Sequence, residues 1–90
     1  MSDLVIIRER TPNPNAMKFT ANRSLNDGPP KTFYNAEAAE ADSVAKKLFA
    51  LSGVTGVMLL SDFCSVNKNG DADWATLGPQ VETVLREAYQ

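Results

Sequence analysis

Two prolines spaced by one residue, in Thr11-Pro12-Asn13-Pro14-Asn15, restrict what the N-terminal part of this chain can become. Each proline pushes the residue before it, Thr11 and Asn13, toward extended or polyproline geometry. Neither proline donates a backbone hydrogen bond, so the segment is neither a helix nor a central strand. Asn13 and Asn15 can bond their own backbone or accept a left-handed conformation, and either completes a turn. The flanks read as strands. DLVIIRE, residues 3–9, is short and β-branched, and its contiguous Val5, Ile6 and Ile7 predict good burial. AMKFTAN, residues 16–22, alternates, with Met17 and Phe19 on one face and Lys18 and Thr20 on the other.

The same logic carries along the chain. SLNDGPPK is turn-rich, and KTFYN after it predicts a short edge strand. Residues 35–53 predict one helix: Asn35 as the N-cap, Glu37, Glu40 and Asp42 near the positive end of its dipole, and Gly53 as the stop. Its apolar stripe is Ala41, Val44, Ala45, Leu48 and Phe49 or Leu51. VTGVMLLS and FCSVNK predict a hairpin turning at Ser61-Asp62. Asp71 or Asp73 then caps a last helical segment with a stripe of Trp74, Leu77, Val81, Val84, Leu85 and Ala88. Pro79 predicts that the regular helix starts there, after a preliminary turn over residues 74–77.

The expected fold is therefore α+β in two layers. A mainly antiparallel sheet of four or five strands carries two helices on one face, in the order β-β-(β)-α-β-β-α. Ninety residues without a linker, repeat or low-complexity tract read as one domain spanning 1–90.

Composition removes several kinds of chemistry. There is no histidine, which excludes Ser-His-Asp and Cys-His catalysis and every histidine-containing metal site. Cys64 is the only cysteine, so no intrachain disulfide forms, which suits a reducing compartment. One thiol is also too few for a zinc or iron–sulfur site within one chain. A nucleophilic role would need a lowered pKa, and mid-strand between Phe63 and Ser65 the thiol reads as a small buried hydrophobe. SVNKNGDADW resembles a calcium loop only in part, because its twelfth position is Thr76 in place of the bidentate glutamate. No glycine-rich phosphate loop, catalytic triad or carboxylate pair is present, so the chain reads as a non-enzyme. The N-terminus does not read as a signal peptide and no run is long enough to span a membrane, so the expected location is the cytoplasm.

The net charge of −2 argues against nucleic acid as a partner. The charge is uneven, however. Arg8, Arg10, Lys18, Arg23 and Lys31 face only Glu9 and Asp27 across residues 8–31. If the first two strands pair, Arg8, Arg10, Lys18 and Arg23 are candidates for one exposed basic patch.

Three stretches, TPNPNAMKF, SVAKKLFALSGVTGVMLLSDFCSV and DADWATLGPQVETVL, together resemble the N-terminal domain of the Nfu/NifU-type iron–sulfur cluster scaffold proteins. The matching positions are Thr11, Pro12, Asn13, Pro14, Asn15, Lys18 and Phe19, then Asp62, Phe63 and Trp74. In that family a separate C-terminal domain carries the Cys-x-x-Cys pair that holds the cluster. This sequence has no such pair, so the resemblance implies a stand-alone copy of the accessory domain. It implies no cofactor in this chain, iron and the cluster entering only through family context. It also implies a protein partner: an iron–sulfur carrier, donor or recipient apoprotein. The expected partner surface is Arg8, Arg10, Asn13, Asn15, Lys18 and Arg23, with Phe19, Phe63 and Trp74 in the core. Two other readings are a small-molecule-binding regulatory domain and, more weakly, metal or cluster binding across a dimer through Cys64.

Overall fold

The computed structural model describes residues 4–89; the first residue of the predicted DLVIIRE strand, Asp3, lies outside them. Eight elements follow in order: β1 (Ile6–Arg10), β2 (Ala16–Ala21), β3 (Lys31–Phe33), α1 (Ala36–Ala39), α2 (Ser43–Phe49), β4 (Val54–Leu59), β5 (Phe63–Lys68) and α3 (Trp74–Tyr89). The strands form one antiparallel sheet in the order β1-β2-β5-β4-β3. The fold is α+β as expected, with the optional third strand present as a short edge.

The period of two in β2 fixes the register. Met17, Phe19 and Ala21 point toward the helices, and Phe19 lies opposite Cys64, which lies opposite Leu59. A second row runs from Met17 through Val66 and Val57 to Phe33. These side chains meet Leu48 of α2 and Leu77, Val81 and Leu85 of α3 to form one core. Fully burying each large apolar side chain contributes about 1.5–3 kcal/mol. Among the described residues no helix covers the other sheet face, and there Val5 and Ile7 remain 50% and 57% exposed. The contiguous run of β1 is thus not wholly buried, because this strand is at the edge of a sheet covered on one side only.

The single helix expected over residues 35–53 is two. Asp42 is extended, with φ of −132°, and its side chain accepts hydrogen bonds from the N–H groups of Val44 and Ala45. It therefore caps a second helix, a role aspartate fills better than it fills a helix interior. Asn35 caps the first in the same way, accepting from Ala38 N–H at 2.7 Å. Ala41 falls between the two helices and is exposed. Gly53 is not the stop: α2 ends at Phe49 with Ala50 as its C-cap, and Gly53, with φ of +97° and Ala72 packed where a Cβ would be, turns the chain into β4.

The last helix also differs. It runs unbroken from Trp74 to Tyr89 with Pro79 inside it, and Asp73 caps it by accepting from Ala75 N–H at 3.0 Å. Lacking its N–H, Pro79 gives up a single bond near the helix start, to the carbonyl of Ala75, so the turn before it joins the helix.

Candidate functional site

The Thr11–Asn15 turn is held by its own side chains. Thr11 Oγ1 donates toward the carbonyls of Asn13 and Ala16 and accepts from Asn13 N–H at 3.2 Å. Asn13 Oδ1 accepts from Asn15 N–H at 2.9 Å, and Asn13 O accepts from Ala16 N–H at 3.0 Å. No non-glycine residue among those described has a positive φ, so the asparagines act by hydrogen bonding, not by a left-handed backbone.

The turn is also tied to distant residues. Trp74 Nε1 donates to Pro14 O at 3.1 Å, and its ring packs 6.1 Å from that of Phe19 at a 60° tilt. Lys68 Nζ donates to Asn15 Oδ1 at 3.1 Å. The motif therefore works as a clamp: the prolines hold it extended, Thr11 and Asn13 close it, and Asn15 and Pro14 fasten it to β5 and α3.

Between this turn, the end of β1 and the start of α3 lies an open groove of about 630 Å³. Arg8, Arg10, Asn13, Pro14, Met17 and Trp74 are among the residues that wall it. Arg8 Nε donates to Glu82 at 2.7 Å, and its guanidinium lies against Gly78, where a side chain would collide with it. Arg10 is exposed, with no hydrogen bond or ion pair among the described residues.

The expected basic patch divides. β1 and β2 do pair, but the register sets Arg8 beside Phe19 on the helix side and Lys18 beside Glu9 on the open side. Lys18 Nζ there sits 4.4 Å from the centre of the Phe63 ring, which lies opposite Thr20 on the open face and so is not in the core as expected. Arg23 lies beyond the far end of β2, where it donates to Tyr89 O at 2.7 Å. Asn15 is engaged by Lys68. Of the six candidate surface residues, Arg8, Arg10 and Asn13 converge on the groove, and Lys18, Arg23 and Asn15 do not. Trp74, expected in the core, is half-buried and walls the groove while packing on Phe19. Its place at the head of an apolar stripe was the sequence signal, but its bond to Pro14 crosses 60 residues.

Cys64 is 0% exposed, and burial, with a smaller contribution from the Asp42 carboxylate, pushes its thiol up to about 12. It cannot reach a second chain, which removes cluster binding across a dimer through this residue. Among the described residues no three His, Cys, Asp or Glu side chains group to hold a metal ion. The described residues, with one buried thiol and no histidine, thus do not fit an iron–sulfur cluster as ligands.

The family model described as the N-terminal part of the scaffold protein Nfu/NifU matches residues 6–90. A NifU-like protein 5, mitochondrial, of Arabidopsis thaliana is 31% identical over 96% of this chain and 31% of its own length. A mitochondrial NFU1 iron-sulfur cluster scaffold homolog of Drosophila erecta is 32% identical, again over 96% of this chain and 31% of its own. The chain thus spans about a third of the length of these curated relatives. The solution structure of a NifU-like protein from Saccharomyces cerevisiae superposes with a TM-score of 0.84 at 25% identity, covering 97% of this chain and 81% of that one. No helix is long and apolar enough to cross a membrane among the described residues. With the Thr11–Asn15 clamp, the Phe19–Trp74 contact and the five-stranded sheet in place, the chain belongs to the Nfu/NifU scaffold N-terminal family.

Proposed function

We propose that this domain is a non-catalytic protein-interaction module that serves iron–sulfur cluster assembly or delivery. Its partner is a cluster carrier, a donor or a recipient apoprotein, and the cluster is cargo held by other residues. One observation carries this reading beyond family membership: the family's own motif builds the wall of an open groove that also carries two β1 arginines. The donor set supports the rest, since the single thiol is sealed in the core and the chain has no histidine. Basic charge at the rim raises the rate of encounter with an acidic partner more than it raises affinity. A lone reduced cysteine also suits the cytoplasm, which fractionation of the native cell tests.

Titrating the 15N-labelled domain with candidate assembly proteins tests the surface. The expected result is movement of the amides of Arg10, Asn13 and Asn15 and of the Trp74 indole signal, with Tyr34 at the far edge unmoved. If these signals stay fixed while a partner binds, the surface lies elsewhere.

A further inference from the structure

The backbone of β1 has one side in use and one side free. Asn22 N–H donates to Val5 O at 3.2 Å and Val5 N–H donates to Asn22 Oδ1 at 3.0 Å, so both backbone groups of Val5 are turned toward Asn22. In an antiparallel ladder such residues alternate with outward-turned ones, so Ile7 opposite Thr20 and Glu9 opposite Lys18 are the next two. The other side of β2 agrees, since Ala21 N–H and Asn15 O are turned to β5, bonding Asp62 O and Lys68 N–H at 2.8 Å each. Consequently the N–H and C=O groups of Ile6, Arg8 and Arg10 point away from the sheet. At the neighbouring outward position, the Leu4 carbonyl is covered by Arg86, which donates to it at 2.8 Å. No such cover lies over Ile6, Arg8 and Arg10 among the described residues.

The side chains along this edge are sorted by face. Arg8 and Arg10 line the helix side, where they wall the groove. Val5 and Ile7 stand exposed on the opposite, open side. A strand laid along the edge would set alternate residues against these two rows. Its carboxylates would meet the guanidinium groups on one face, and its apolar residues would cover Val5 and Ile7 on the other.

We propose that the free edge of β1 accepts, as a sixth strand, an extended partner segment that alternates acidic and apolar residues. Backbone bonding to the outward groups of Ile6, Arg8 and Arg10 supplies the attachment, and the two side-chain rows select the sequence. The same charges disfavour a second copy of this chain. In the register that pairs all of Ile6–Arg10 with itself, Arg8 opposes Arg8 of the other copy, a like-charge contact. The proposal rests on the reading of the domain as an interaction module and names the chemistry its partner presents.

The test uses the 15N-labelled domain and a synthetic peptide alternating Glu and Val. Saturable shifts are expected within Val5–Arg10, with slowed exchange of the Ile6, Arg8 and Arg10 amide protons. A scrambled peptide of the same composition, and one with Lys for Glu, should bind at least about tenfold more weakly. Arg10→Glu, which disturbs no internal ion pair, should weaken the Glu peptide by about tenfold and favour the Lys peptide instead. Added salt should weaken the Glu peptide. Equal binding of the scrambled peptide, unslowed exchange at those amides, or shifts centred on Lys18 and Met58 would each overturn the proposal. An assembly protein that binds without touching β1 overturns the edge and leaves the interaction module standing. A peptide that docks on β1 while no assembly protein binds keeps the edge and overturns the link to cluster assembly.

Discussion

β1 ends the sheet on one side with five residues and no proline, whereas β3 ends it on the other with three. Pro29 and Pro30 lead into β3, and Asn35 cuts it off by capping α1. A strand that short offers little for another chain to pair with. β1 is long enough to act as a template and is guarded by charge, with Arg8, Glu9 and Arg10 in a row. The two edges thus meet one hazard by different means. Length closes β3 to everyone, whereas charge closes β1 only to strands of the wrong sign.

The largest effect is expected where the β1 side is anchored. Trp74→Ala removes the bond to Pro14 and the packing against Phe19 together. Truncating a buried aromatic costs about 3–5 kcal/mol, and for this half-buried ring about 3 kcal/mol is expected in urea unfolding. Hydrogen exchange should quicken at Glu9, Ala16 and Met17 more than at Lys31–Phe33. Equal quickening at β3 would show that the two edges open as one unit, and the comparison would fail.

Cys64 lies between the edges and reports on neither. Its thiol is pushed from 9.0 up to about 12, chiefly by burial. Because the folded value is the raised one, its contribution to stability is full below pH 9 and is lost as pH rises toward 12. Tyr89, whose hydroxyl donates to Leu25 O, is raised from 10.0 to about 12, again chiefly by burial, and adds loss in the same direction. Denaturant midpoints should therefore fall from about pH 9 upward. Cys64→Ala should flatten that fall in part, leaving the share of Tyr89. At pH 8 the native thiol should react with a disulfide reagent only through global opening, faster in Trp74→Ala and unchanged by substitutions confined to an edge.

Much of this arrangement could be read in the sequence. Alternation in AMKFTAN gave the two faces of β2, Ser61-Asp62 gave the β4–β5 hairpin, and the apolar residues of KTFYN gave the short edge strand. These features are local, set by period and turn chemistry. The split of the first helix was missed because Asp42 satisfies two descriptions, an acid near a positive helix end and an N-cap, and only its extended backbone separates them. The surface was partly misread for a different reason. Asn15 and Pro14 have partners at Lys68 and Trp74, and no local pattern shows a contact over such a separation. Lys18 left the patch because the register, which the sequence did not state, pairs it with Glu9 on the open face.

Smaller effects separate the two edges by their ends. Thr11→Val removes the bonds of the Thr11 hydroxyl from the clamp after β1, and Asn35→Ala removes the side-chain bond of the cap after β3. Each should cost about 1 kcal/mol. The expected difference is in location: Thr11→Val should shift signals on the groove side, including Trp74, and Asn35→Ala those of α1 and β3. If Asn35→Ala instead disturbs Trp74, the two ends are coupled through the sheet.

The smallest effect on stability, and the sharpest on the comparison, comes from neutralising the guarded edge. Arg8→Val with Arg10→Val removes one ion pair to Glu82, which is 40% exposed on the arginine side and worth at most about 1 kcal/mol. Monomer stability should hardly move. What changes is the edge itself, which now reads Ile-Ile-Val-Glu-Val and offers Ile6 and the two new valines beside its outward backbone groups. Sedimentation should show concentration-dependent self-association of this double variant. Lys31→Val, the matching change at β3, should leave the chain as it was, because three paired residues are too few to hold a second sheet. Self-association of Lys31→Val would mean that length does not protect β3. A double variant that stays monomeric would mean that charge is not what keeps β1 free, and the selective edge would lose its physical basis.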